Sequence, residues 1–270
     1  MTAIFRKAFH DSRRSAFWLS LGFGLYVLFL MAMYPAVKSQ ADEWQKLIDS
    51  YPEGVLTMFY GGDVAEFDMT EPGTWVQTEF ASYSVLILGA IVILQAFNAF
   101  TNAERDHTID MLLSLPVSRR HYLLGRALNT TLVMTLVLAA CLAGFLVAMT
   151  LWPEFDPSAA NLALGMIGAL LYLLVVAGYS YLLAVVVPSS RRFAGATAYL
   201  LLIGSFLVYG LSGVVESLER VRPLLLPHYF NMGTTIRDGA QLGDWAVMAV
   251  TALVYFALAW WRVDRKELGV

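Results

Sequence analysis

The sequence predicts an all-α integral membrane protein with six transmembrane helices and both termini in the cytoplasm. Three observations lead there. Apolar residues make up 58% of the 270-residue chain and charged ones only 14%, where a soluble globule carries about 25% charge. The apolar residues collect in continuous blocks, unlike the alternating pattern of a barrel strand. The basic residues fall mostly on one set of the segments between those blocks.

Crossing a hydrocarbon core of roughly 30 Å takes about 20 apolar residues in a helix. Six segments reach or approach that length: residues 16–37, 80–102, 122–150, 161–187, 193–215 and 245–262. The last is the shortest, and the third is long enough to tilt or to protrude into water. The first follows a basic start with Arg6, Lys7, Arg13 and Arg14, which could be mistaken for a signal peptide. Its apolar run of about 22 residues is too long for a signal core, and no small-residue cleavage pattern follows Tyr34-Pro35. It is read as a retained span. Cys141 lies inside the third span, and a single cysteine forms no internal disulfide.

The side assigned to the cytoplasm holds the N-terminal cluster, Arg105, Arg119, Arg120, Arg126, Arg191, Arg192 and the tail from Arg262. Of the 18 Lys and Arg residues, the other side keeps only Lys38, Lys46, Arg220, Arg222 and Arg237, together with most of the 21 acidic ones. The positive-inside rule therefore gives one orientation. The net charge of −3 describes mainly the outer loops and gives no reason to expect a nucleic-acid partner.

One membrane domain accounts for residues 1–270, with no soluble part large enough to fold alone. Two outer loops are substantial. Residues 38–79 contain a short helical pattern at Ala41–Tyr51, then turn signals at Gly61-Gly62 and Glu71-Pro72-Gly73. Trp44 and Trp75 suit the water–lipid interface. Residues 216–244 contain Pro223-Leu-Leu-Leu-Pro227, too short to span and broken by prolines, so that stretch is expected to lie in the interface or dip partly into the membrane. On the cytoplasmic side, Thr108–Leu115 reads as one or two amphipathic turns stopped by Pro116. Its apolar residues must pack on protein or on lipid headgroups.

Several chemistries are missing. None of the four lysines follows a glycine, so the phosphate-cradling Gly-Lys-Ser/Thr loop is absent. No His-Glu-x-x-His occurs. His10, His107, His121 and His228 sit in loops or at span ends; a metal site from His107 and His121 is conceivable, but solvated histidines are the simpler reading, and no metal is expected. Gly178-Tyr179-Ser180 has no histidine in a span to act as base, and small residues there suit a helix contact. No ionisable residue falls deep in any of the six segments, which argues against an ion-coupled carrier. The polar groups inside the spans are neutral: Gln95, Asn98 and Asn102 in the second, Asn129, Thr130, Thr131 and Thr135 in the third. They either line a pathway, with Gln95, Asn98, Asn129 and Thr131 as its candidates, or hold helices together. Ala139/Ala143 and Ala140/Gly144 have the small-x-x-x-small spacing of close helix packing.

The stretch Glu104-Arg-Asp-His-Thr-Ile-Asp-Met-Leu-Leu-Ser-Leu-Pro-Val-Ser-Arg119, followed by Tyr122-Leu-Leu-Gly-Arg126, resembles the cytoplasmic loop of ABC transporter permeases of the type-2 export family. Phe59-Tyr-Gly-Gly62 and Met69-Thr-Glu-Pro-Gly73 look like the first outer loop of its antibiotic- and multidrug-export branch. Trp261-Arg-Val-Asp-Arg-Lys-Glu-Leu268 looks like the family's closing tail. The sequence departs from the pattern at His107, where glycine is common, and at Asn102-Ala103, where Ala-Gly is more usual.

The resemblance implies the membrane subunit of an ATP-driven exporter, a multi-pass protein of a prokaryotic cell membrane. ATP and Mg would be bound by a separate ATPase, two copies of which meet a pair of permease chains, most simply a homodimer. This chain would be non-catalytic and hold no cofactor. Carried over residue by residue, Glu104, Asp106, Thr108, Asp110, Leu112, Leu113 and Pro116 would form the coupling helix that contacts the ATPase, and Ile4–Arg14 an amphipathic helix lying along the membrane before the first span. The substrate class would be hydrophobic or amphiphilic. The alternative is a membrane anchor or assembly factor that recruits a cytoplasmic protein without moving anything.

Overall fold

Apolar blocks with no water to bond their backbone groups must satisfy them internally, and helices do so within one segment. The computed structural model describes residues 2–41, 43, 46, 50–51, 68–105, 118–187, 191–213 and 215–263. Among them six helices are long and apolar enough to cross a membrane: Ile4–Ser39, Pro72–Ala99, Arg119–Leu151, Ala159–Val186, Phe193–Leu211 and Leu242–Val263. No strand occurs among the described residues. The chain is an all-α protein of six spans. Of the expected helix at Ala41–Tyr51, Ala41, Glu43 and Lys46 are helical, while Trp44 and Gly61-Gly62 lie outside the described residues.

Inter-helix contacts fix the directions. Lys38 Nζ donates to the Glu154 carbonyl at 3.0 Å, while Ile4 lies against Gly125, so the first and third spans run parallel. Gly168 lies against Trp245 and Gly178 against Tyr255, so the fourth and sixth do too. Tyr199 Oη donates to the Ala90 carbonyl at 3.2 Å and joins the second and fifth, which run antiparallel. The arginines at the starts of the first and third spans and the end of the sixth therefore share one end of the bundle, the basic end. The far end carries the two long inter-span loops.

The fourth span is the hub. Two-thirds of its most apolar window is buried (67%), against 22% for the first span and 17% for the sixth. Its small residues allow this. A Cβ on Gly178 would stand 2.9 Å from Tyr255 Cβ and 3.3 Å from the Ala252 carbonyl oxygen. Ser180 turns its hydroxyl onto its own helix, donating to Val176 O at 2.6 Å. The Gly-Tyr-Ser stretch is thus a packing surface.

The crossing of the first and third spans uses the same device. A Cβ on Gly144 would lie 2.9 Å from the Gly24 carbonyl oxygen, and Gly24 in turn faces Ala140. Of the two small-residue pairs in the third span, Ala140/Gly144 carries this contact and Ala139/Ala143 is exposed. Toward the far end an aromatic cluster ties three spans together: Tyr34 with Phe155 (5.5 Å) and Trp75 (6.0 Å), and Phe80 with Phe145 (5.1 Å). Edge-to-face pairs of this kind contribute about 0.5–1.5 kcal/mol each beyond burial. Trp75, expected at the water–lipid interface, is instead 4% exposed inside that cluster.

Two helix starts differ from the sequence reading. Residues 4–14 are not a separate element but the opening turns of one unbroken helix, Thr2–Ser39. No breaker separates them from the span, and they lean on the third span: Ala8 is buried and Ser12 Oγ donates to Asn129 Oδ1 at 3.1 Å. The second span begins at Pro72, eight residues before the apolar run at 80, and passes through the π-helix Val76–Ala81 into Ser82–Arg105. Pro72 takes the first helical position, where its missing N–H costs nothing.

The third and fourth spans are bridged by Thr130 Oγ1 and Tyr181 Oη at 3.0 Å, both buried. Hydrogen bonds between spans average well under 1 kcal/mol, but a lone buried hydroxyl costs more. Tyr181→Phe is expected to cost about 1 kcal/mol, and adding Thr130→Val to recover part of it. Thermal midpoints of the four proteins in one detergent give the coupling; additive losses would contradict it.

Candidate functional site

At the basic end, the helix of the second span closes at Arg105 and the third begins at Arg119, capped by Ser118. Tyr122 Oη donates to the Ala99 carbonyl, which ties those two ends together one turn inside the bundle. Arg126 stacks over Tyr122 (5.4 Å) and Arg120 over Trp260 (5.7 Å). Of the expected coupling residues, Glu104 falls in the last turn of the helix ending at Arg105. Asp106, Thr108, Asp110, Leu112, Leu113 and Pro116 lie outside the described residues.

The four polar pathway candidates are not brought together. Gln95 and Asn98 stand on the second span toward the basic end, Asn98 exposed and Gln95 with a buried Oε1 that no hydrogen bond reaches. Asn129 is buried and engaged by Ser12 on the first span. Thr131 Oγ1 donates to its own helix at Ala127 O, 3.0 Å. Asn129 joins helices, and Thr131 satisfies itself.

The far end is closed by a contact between the second outer loop and the opening turns of the second span. The short helix Met232–Asp238 packs against Pro72–Trp75. Gln77, buried, accepts from Met232 N–H at 2.7 Å and Gly233 N–H at 3.4 Å. Its amide donates to Ser82 Oγ at 3.3 Å. Gly73 and Gly233 touch through their backbones, so that a Cβ on Gly73 would stand 2.8 Å from the Gly233 carbonyl oxygen. Beside this contact, two 3-10 turns, Arg222–Leu224 and Leu226–Tyr229, help enclose a mainly apolar cavity of about 210 Å³ with Tyr179, Leu202, Met248 and Tyr255.

One ionisable residue escaped the sequence reading. With the second span starting at Pro72, Glu79 is not the last residue of a loop. It lies inside the π-helix of that span, partly buried. The signal was present in Glu71-Pro72, an acidic residue before a proline, which marks a helix start as well as a turn. Among the described residues no group of three or more His, Cys, Asp or Glu is placed to hold a metal ion.

The fold and these ends define a class: a helical multi-pass membrane protein whose second and third spans are clamped together around a connecting segment at the basic end. The model of the ABC-2 family transporter protein matches residues 2–268. The chain therefore belongs to the ABC-2 transporter family, as a membrane permease of the kind that works with ABC ATPases. Among curated proteins nothing matches the chain.

Proposed function

We propose that this chain is the permease subunit of an ATP-driven exporter that moves a hydrophobic or amphiphilic substrate outward, its basic end facing the cytoplasm. The observation that carries this is the Tyr122–Ala99 clamp within a chain matched over residues 2–268. A segment of a dozen residues held at both ends by clamped helices is a short lever: a push on it reaches two spans at once. The apolar Leu112 and Leu113 with the charged Glu104, Asp106 and Asp110 suit a groove on an ATPase, with Thr108 and Pro116 bounding the knob. ATP and Mg would sit on that partner. Two copies of each subunit would make the working unit, and the sparsely buried first and fifth spans leave apolar side chains such as Leu25, Phe29 and Leu200 exposed for pairing or for lipid.

The test is co-expression of the tagged chain with the ATPase encoded beside it. Stoichiometric co-purification is expected, and Leu112→Asp should lower the captured ATPase at least tenfold while membrane insertion is unchanged. A charge forced into an apolar groove costs several kcal/mol unless paired. A chain that inserts normally and captures no ATPase would be an anchor for something else.

A further inference from the structure

Glu79 has no role in the packing just described. Among the described residues no cationic side chain and no hydrogen-bond donor is placed on its carboxylate; outside the helix's own ladder, Tyr26 Oη donates to its backbone carbonyl at 2.9 Å. An ionisable side chain inside a span is costly and most often serves a function. It also lies on a π-helix, a geometry found frequently at functional positions.

Its surroundings are aromatic. Tyr26 on the first span sets its hydroxyl on the Glu79 carbonyl, and Tyr83 stands about one turn further along the second span. The Tyr26 ring packs with Phe80 at 6.2 Å and Phe23 at 6.3 Å. Tyr83 is 41% exposed, and Ile87, one turn further along the same face, is 50% exposed. The first span follows the third along its length and meets the second near this level. Gly22, on the same helical face as Tyr26, has open space before it. Glu79 thus stands where the first and second spans meet, with Tyr26, Tyr83 and the apolar Ile87 as the walls of an exposed face.

We propose that Glu79, with the faces of Tyr26 and Tyr83, binds the cationic head of an amphiphilic organic cation. A hard metal ion takes six or more oxygen ligands, and one carboxylate beside phenols and hydrocarbon does not supply them. A delocalised organic cation gains from all three features: the charge from Glu79, the ring faces through cation–π attraction, and the walls by burial of its apolar part. The assignment rests on the permease reading, whose substrate class it narrows.

The full chain in lipid nanodiscs is titrated with tetraphenylphosphonium, with the size-matched anion tetraphenylborate and neutral triphenylphosphine oxide alongside. Saturable binding of the cation alone is expected. Glu79→Gln should weaken it at least tenfold, Tyr83→Leu about threefold, and Glu79→Asp should retain most of it. Elution profile and thermal midpoint report folding; if Glu79→Gln folds poorly, Tyr83→Leu and Glu79→Asp carry the comparison. Equal affinity in a folded Glu79→Gln protein, or equal binding of the anion or the neutral compound, overturns the assignment. A chain that captures its ATPase yet fails this titration loses the cation site and keeps the permease reading.

Discussion

Gly144→Leu is expected to destabilise the folded chain by about 3 kcal/mol, while Gly22→Leu leaves its stability unchanged or slightly raised. The two substitutions are chemically identical and sit on spans that touch. At Gly144 the first atom added would lie 2.9 Å from the backbone carbonyl oxygen of Gly24 and 3.2 Å from Val27. A carbonyl inside a helix has no rotamer to move to, so the helices must separate. Separation loosens Val27, Met31, Val137 and Cys141, all buried, and dispersion falls off steeply with a gap of even 1 Å. At Gly22 nothing stands within 4 Å. Leucine gains about 1 kcal/mol in helix propensity over glycine at both sites, so the difference between the variants isolates the clash. Thermal midpoints in a single detergent measure it. Similar midpoints would mean that the first and third spans do not cross as closely as Gly24 and Gly144 imply.

That contrast also shows where the sequence was legible. The six spans could be read because each is a continuous apolar block, a signal needing no knowledge of neighbours. Small-x-x-x-small spacing marked Ala140/Gly144 and Ala139/Ala143 equally; only the partner helix distinguishes them, and it meets the first pair. Long-range contacts were likewise decisive at helix starts. Glu71-Pro72-Gly73 carries the residues of a turn, and nothing local reveals that Gly73 will meet Gly233, so the first turns of the second span were read as loop. Moving that boundary turned Glu79 from a loop residue into a carboxylate on the helix of the second span.

The neutral polar residues show the same limit from the other side. Gln95, Asn98, Asn129 and Thr131 form a plausible face on paper, but hydrogen-bond capacity does not say who uses it. Ser12, in a segment expected to lie apart from the spans, takes up Asn129. Thr131 bonds back to Ala127, as threonine in a helix readily does. The proposed coupling segment is the opposite case: its reading comes from residue pattern and family resemblance. The structure adds the clamp that would make a push on it effective.

Gly233→Val is expected to release the far-end contact while leaving the six spans folded. A Cβ at residue 233 would stand 3.0 Å from the Gly73 carbonyl oxygen, 3.1 Å from Gln77 Cβ and 3.2 Å from Asn231 Oδ1. Two of these neighbours belong to the opening turns of the second span, and the nearest is backbone, so the short helix Met232–Asp238 must retreat from them. Gln77 Oε1 then loses the Met232 and Gly233 N–H donors, and a buried group left unpaired costs about 1–3 kcal/mol. Both terms act on the contact with the second span; on its other side the short helix keeps the fourth span, where Asn161 Nδ2 donates to Ile236 O at 2.8 Å and Met232 lies against Gly165. Thr235 is a reporter, at 3% exposure in that short helix. A cysteine there should react slowly with a membrane-impermeant maleimide, and at least tenfold faster once Gly233→Val is added. Cys141, fully buried, gives no competing signal. Applied to intact cells, the reagent also reads orientation, since labelling from outside places the far end there and the basic end in the cytoplasm. Labelling only in inverted vesicles would reverse that orientation, and equal rates in the two proteins would mean that Gly233 does not hold the second outer loop to the second span.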